Sequence, residues 1–181
     1  MTAVTECLTT VFAAVWSVWA AVGDWRHRRI PNALIIAGAV LALASASLFG
    51  VDAVLSALLS GGIAAAFLLI PYFVRATGAG DVKMMFVAGV FAGPGRALSL
   101  ICATAFCGFV LALGLLAFKA VNSARLRHYV RCAFDPRYDR AAGRAALPPR
   151  DDESCRVPFG AAIAAGLVLV RFAALAEGGV P

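Results

Sequence analysis

Apolar residues fall in six blocks, at 4–22, 33–49, 54–74, 82–93, 97–118 and 157–175. Within each block they run continuously instead of alternating, which predicts helices and excludes an outer-membrane barrel. A spanning helix needs about 20 apolar residues to cross roughly 30 Å of hydrocarbon. Five blocks come close to that length. The fourth is short, and Pro94 and Gly95 end it. Either the bilayer thins there or the preceding turn dips below the surface, where irregular backbone survives only beside protein or water. The first block reads as a retained helix and not as a cleaved signal peptide, because Glu6 is acidic and nothing basic precedes it except the terminus.

The gaps set the orientation. Arg26, Arg28 and Arg29 follow the first block, Pro71 and Arg75 close the third, and Lys119 closes the fifth. Short basic gaps face the cytoplasm. The gap Gly50-Val51-Asp52 has no basic residue and reads as a tight outer turn. Pro31 suits the first turn of the second helix. On the outer half only Arg96 and Arg171 are basic, and Arg171 is expected to snorkel to the surface. The pattern predicts an all-α membrane protein with six transmembrane helices and both termini outside. It forms a single polytopic domain over 1–181, with a cytoplasmic loop at about 120–156. In that loop Leu126, Tyr129, Val130 and Phe134 stand at a spacing that suits either a short amphipathic helix or a solvated loop. Ser60-Gly61-Gly62 with Ala64-Ala65-Ala66, and the pair Gly89 and Gly93, are small-residue surfaces for close helix packing.

Composition agrees with a lipid environment: 62% of the 181 residues are hydrophobic and 14% charged, against about half and a quarter in soluble domains. The net charge of +6 would suit nucleic acid, but the basic residues sit in the gaps between blocks, as topology requires. The five cysteines form no CxxC pair, so a structural zinc site has no support. Cys7, Cys102 and Cys107 read as small apolar residues, while Cys132 and Cys155 share the polar loop. Trp16, Trp19 and Trp25 read as interface or packing aromatics.

The chemistry available is narrow. There is no HExxH, GxSxG or GxxxxGK[ST] motif, and both histidines, His27 and His128, lie in loops. Two aspartates remain at cytoplasmic helix ends: Asp24 after the first block, and Asp81 behind Gly78-Ala79-Gly80. Two carboxyls brought close cannot both ionise easily, so one keeps a proton. The ionised member would activate a water. The protonated one would polarise a peptide carbonyl and then protonate the leaving amine. This chemistry needs no cofactor and no metal. Asp81 at a helix N-terminus favours the anion, and Asp24 at a C-terminus favours the proton. Plainer roles exist for each residue. Asp24 can be an interfacial charge, Gly78 and Gly80 an ordinary turn, and Pro158 and Gly160 a helix start.

Taken together, Asp24-x-Arg26 with Ile30-Pro31-Asn32, Gly78-x-Gly80-Asp81 with Lys83, and Pro158-Phe159-Gly160 with Ala162, Ile163 and Gly166 form a more specific pattern. It resembles the type IV prepilin peptidases, GxGD-type membrane aspartic peptidases, and within them the short Tad/Flp-pilus branch. The resemblance implies that Asp24 and Asp81 are the catalytic pair. Gly78, Gly80, Lys83, Arg26, Pro31, Asn32, Pro158 and Gly160 would support them. It also implies a multi-pass protein of the bacterial inner membrane, with its active site at the cytoplasmic face. The partners would be the lipid bilayer and a prepilin, cut after the glycine that ends its basic leader. Longer members carry a CxxC-bearing segment between the first two helices and methylate the new N-terminus. Here that gap is short and lacks cysteine, so no N-methyltransferase activity is expected. The competing readings are a small proton-coupled transporter using Asp24 and Asp81, and a structural subunit of a secretion complex.

Overall fold

A computed structural model of the chain describes residues 2–27, 31–73, 77–118 and 158–177, with isolated positions between 128 and 147. The described residues form six helices: α1 Thr2–His27, α2 Asn32–Ser47, α3 Val51–Phe73, α4 Ala79–Ala92, α5 Ala97–Ala117 and α6 Phe159–Ala176. Four of them, α1, α3, α5 and α6, are long and apolar enough to cross a membrane. The blocks read from sequence recover these helices with ends displaced by a few residues.

The chain divides into two compact units, Met1–Phe109 with Pro158–Pro181, and Val110–Val157. In the second unit the described positions show isolated helical bonds, from the Asp135 N–H to Arg131 O and from the Ala146 N–H to Ala142 O. Cys132, Cys155 and most of the predicted amphipathic segment lie outside the described residues.

The first unit is organised around α4, which packs against α1, α2, α3 and α6. Eight of its 14 residues are buried, from Met84 and Met85 through Ala92. A helix apolar on every side belongs inside a bundle. At 1.5 Å per residue α4 extends only about 21 Å. Its length therefore suits a helix covered by others more than one that meets lipid at both ends. The surrounding helices turn apolar side chains outward instead. Val11, Val15 and Trp19 on α1, and Leu59, Ile63 and Ile70 on α3, are exposed. An aqueous surface would not carry so much contiguous apolar area.

Small residues set the spacing of the core. Ser60, Gly61 and Ala64 of α3 are buried. A Cβ added at Gly89 of α4 would lie 2.6 Å from Gly61 Cα and 2.9 Å from Ser60 O. The close approach is thus made by Gly61 and Gly89 on two different helices. Gly89 and Gly93 do not share a packing face as the sequence spacing suggested. Gly93 caps α4 with φ +88, a conformation that other residues rarely adopt. On the other side of the core, Trp16 donates its Nε1–H to Leu34 O at 2.9 Å and fills the space over Gly38. Its ring lies 5.6 Å from that of Phe91. Trp16 is therefore a packing aromatic, whereas Trp19 and Trp25 are exposed. α5 meets α6 where Thr104 covers Gly166.

Two turns differ from expectation. Val51 and Asp52 already belong to α3, so the reversal after α2 narrows around Gly50 at φ +98. Pro31 stands one residue before α2 as its N-cap, with φ −61 and ψ 133, and its carbonyl accepts the N–H groups of Leu34 and Ile35.

The packing makes a direct prediction. Gly89→Ala forces backbone apart at α3 and should cost about 1–3 kcal/mol. Gly62→Ala, where a Cβ meets nothing within 4 Å, should be neutral. Thermal unfolding of the two variants in the same detergent checks the contrast.

Candidate active site

Asp24 lies in the last turn of α1 and is only 6% exposed. Asp81 is the third residue of α4. The expected turn Gly78-Ala79-Gly80-Asp81 is in fact a helix start, with Gly78 as N-cap and Ala79, Gly80 and Asp81 in the first helical turn. The Asp81 N–H donates to Gly78 O at 3.1 Å, and the Gly78 N–H donates to Asp81 Oδ2, also at 3.1 Å. The carboxyl reaches back over the cap as a glutamate does in a capping box, which fixes its direction. Gly78 has φ −85, and no positive φ occurs at Gly80. The glycines here leave out side chains but do not adopt a special backbone.

Asp81 feels Asp24. Burial pushes the Asp81 carboxyl from its ordinary 3.8 up to about 6, the Gly78 N–H pulls it down, and the charge of Asp24 pushes it up again. The expected preference of the helix N-terminus for an anion is present in the Gly78 bond, but desolvation outweighs it. Asp81 lies outside the four helices able to cross the membrane, at the end of the bundle where α1 finishes and α4 begins.

The supporting residues fall into two groups. Lys83 donates from Nζ to Asn32 Oδ1 at 3.3 Å, joining the start of α2 to the first turns of α4 across 51 residues. Lys83 and Arg26 are both exposed. Pro158 caps α6, and both it and Gly160 are buried. α6 runs antiparallel to α1, because Arg171 near its end meets Glu6 near the beginning of α1. The Pro158 end of α6 therefore lies at the Asp24 end of α1. One residue was passed over in the sequence. The Thr77 hydroxyl, next to the N-cap, is buried and makes no hydrogen bond among the described residues. A lone threonine before a glycine carries no signal that would single it out.

A cavity of about 220 Å³ lies at the opposite end of the bundle, lined by Glu6, Phe49, Pro94, Arg96 and Arg171 among others. It is remote from both aspartates. Among the described residues no group of three or more His, Cys, Asp or Glu side chains is placed to hold a metal ion.

Residues 11–113 match the Type IV leader peptidase family. The chain belongs to this family, and is a peptidase by that membership. The matched segment contains Asp24, the Pro31-Asn32 pair and the whole of Gly78-x-Gly80-Asp81, and it ends before α6. No curated protein and no solved structure matches the chain. In this leader peptidase the two aspartates occupy one end of the bundle, each held by a helix that also enters the core.

Burial of Asp81 has a measurable consequence for stability. An acid whose folded-state value is raised binds its proton more tightly when folded. Stability therefore falls as pH climbs from about 4 to about 6, and the penalty is complete above that range. Asparagine keeps the shape without the charge. Asp81→Asn should unfold at a higher temperature than the native protein at pH 8, by ~5 °C, and at the same temperature at pH 4. Melting curves at the two pH values check this.

Proposed function

We propose that this leader peptidase is an aspartic endopeptidase that removes the basic leader from Flp-like prepilins, using Asp24 and Asp81 as its catalytic pair. The observation that carries the reading is that Asp24, buried in the last turn of α1, and Asp81, in the first turn of α4, lie at one end of the bundle within the segment matching the family. Two carboxyls in mutual repulsion hold one proton between them. The ionised carboxyl takes a proton from a shared water as the water attacks the scissile carbonyl. The protonated carboxyl donates to the carbonyl oxygen. When the tetrahedral intermediate collapses, the carbon–nitrogen bond breaks and a carboxyl returns a proton to the leaving amine.

The substrate must reach the pair as an extended strand, because a helical peptide bond is shielded by its own hydrogen bonds. The absence of side chains at Gly78 and Gly80 supports such an approach beside Asp81. Lys83, tied to Asn32, and exposed Arg26 lie at the same end. In this reading the six helices lie in the bacterial inner membrane with α4 enclosed by α1, α2, α3 and α6, both termini outside and the catalytic end in the cytoplasm. The basic gaps 26–29 and 119–156 support that orientation. Assembly of a pilus or secretion machine would consume the mature pilin.

Cleavage of a membrane-embedded prepilin by the purified protein tests the activity. Asp24→Asn and Asp81→Asn should each lower the rate by at least about 10³-fold while the protein still inserts, as expected for residues that act as a unit. Near-native turnover in either variant would remove the pair from the mechanism. The topology has its own test, by cysteine labelling in a cysteine-free background. Positions 27 and 140 should be protected from reagents outside the cell and position 52 should react. External labelling at 140 would overturn the arrangement.

A further inference from the structure

Arg171 of α6 does not snorkel. It is 4% exposed and turns inward onto α1. Its Nη2 lies 2.8 Å from Glu6 Oε2. Its Nε donates to Thr10 Oγ1 at 3.2 Å, and Nη2 also donates to the Thr9 hydroxyl and to Glu6 O. The two threonines in turn donate to Glu6 O, at 2.9 and 2.8 Å. A largely buried ion pair is costly to assemble and costlier to break, because removing one partner leaves a charge with little access to water.

The pair lies at the end of α1 remote from Asp24, yet the two ends are mechanically linked. Glu6 and Asp24 are 18 residues apart, which is five turns of about 3.6 residues and about 27 Å of rigid helix. They therefore point from the same face. Thr9, Thr10, Ala13, Trp16, Ser17 and Ala20 form the buried stripe between them. Apart from Trp16 this stripe is made of small residues. Ser17 makes no hydrogen bond among the described residues. Trp16 ties α1 to α2 through its bond to Leu34 O. α6 packs along α1, and the Arg171 cluster adds directional polar contacts to that packing.

We propose that Arg171 is a positioning residue: with Glu6, Thr9 and Thr10 it ties α1 to α6 by directional polar contacts, and so helps set where Asp24 stands relative to Asp81. Misplacement of a catalytic group by about 1 Å costs up to ~100-fold in rate. The inference rests on the aspartate-pair reading for its effect on rate, but not for its effect on geometry.

The test uses the full chain in lipid nanodiscs with a prepilin substrate. Arg171→Met should lower kcat by ~10–100-fold with KM changed less than ~3-fold. Arg171→Lys, which keeps the charge opposite Glu6, should recover most of that loss. Independently of activity, spin labels at positions 22 and 79, exposed on α1 and α4, should give a narrow distance distribution in the native protein. Arg171→Met should broaden or shift it, and Arg171→Lys should restore it. If Arg171→Met fails to accumulate, the double variant Thr9→Val with Thr10→Val keeps the ion pair and should still broaden the distribution. An unchanged distribution and unchanged kcat in Arg171→Met, or an unchanged distribution in the threonine double variant, would falsify the positioning role. Loss of the aspartate-pair reading would show differently, as cleavage that survives Asp24→Asn while the distance effect of Arg171→Met remains.

Discussion

Charge is expensive inside an apolar helix bundle, and the cost of desolvating it arranges this molecule. The apolar blocks leave few places for ionised groups, and two of those places lie at opposite ends of α1. At one end Glu6 is matched by Arg171 and two hydroxyls. At the other, Asp24 is buried near Asp81, whose carboxyl burial and repulsion push upward. The first arrangement neutralises its charge by pairing opposites. The second brings two like groups together, which favours keeping a proton between them. In the proposed reading the difference between the ends is one of chemistry: a matched pair holds geometry, and a like pair holds a proton for transfer.

The core makes that contrast possible by being thin. α3 and α4 approach until the backbones of Gly61 and Gly89 touch, and α4 is covered on several sides by α1, α2, α3 and α6. A short helix can then carry Asp81 in its first turn at one edge of the bundle without having to reach both lipid surfaces. Gly93, in a left-handed conformation, ends α4 abruptly. Pro94 and Gly95 follow, and the chain leaves for α5 beside the cavity near Arg171. The interior is thus spaced by small residues and bounded by turns that only glycine accepts easily.

Much of this was legible along the chain. Continuous apolar blocks predict helices because a backbone in lipid must satisfy its own hydrogen bonds within the segment. Asp24 and Asp81 stood out because carboxylates beside such blocks are costly. The buried role of Ser60, Gly61 and Ala64 was readable in their size. Those inferences depend only on local sequence and the solvent, which is why composition and spacing were enough to make them.

Contacts between distant segments were not legible. Arg171 read as a snorkelling cation because its distance from the helix end allows it, and nothing local names Glu6, 165 residues away, as its partner. Gly89 pointed to Gly93 by spacing, and only packing revealed Gly61 opposite it. Lys83 and Asn32 were noted as parts of separate motifs, and their hydrogen bond appears only when α2 and α4 are set side by side. The helix start at Gly78 looked like a turn because glycines are ambiguous until the backbone around them is placed. Sequence alone determined which segments are helical and which charges are out of place in them. Tertiary structure decided which of those charges face each other, because that depends on the rotation and depth of each helix against its neighbours, and a periodic apolar surface leaves both undetermined.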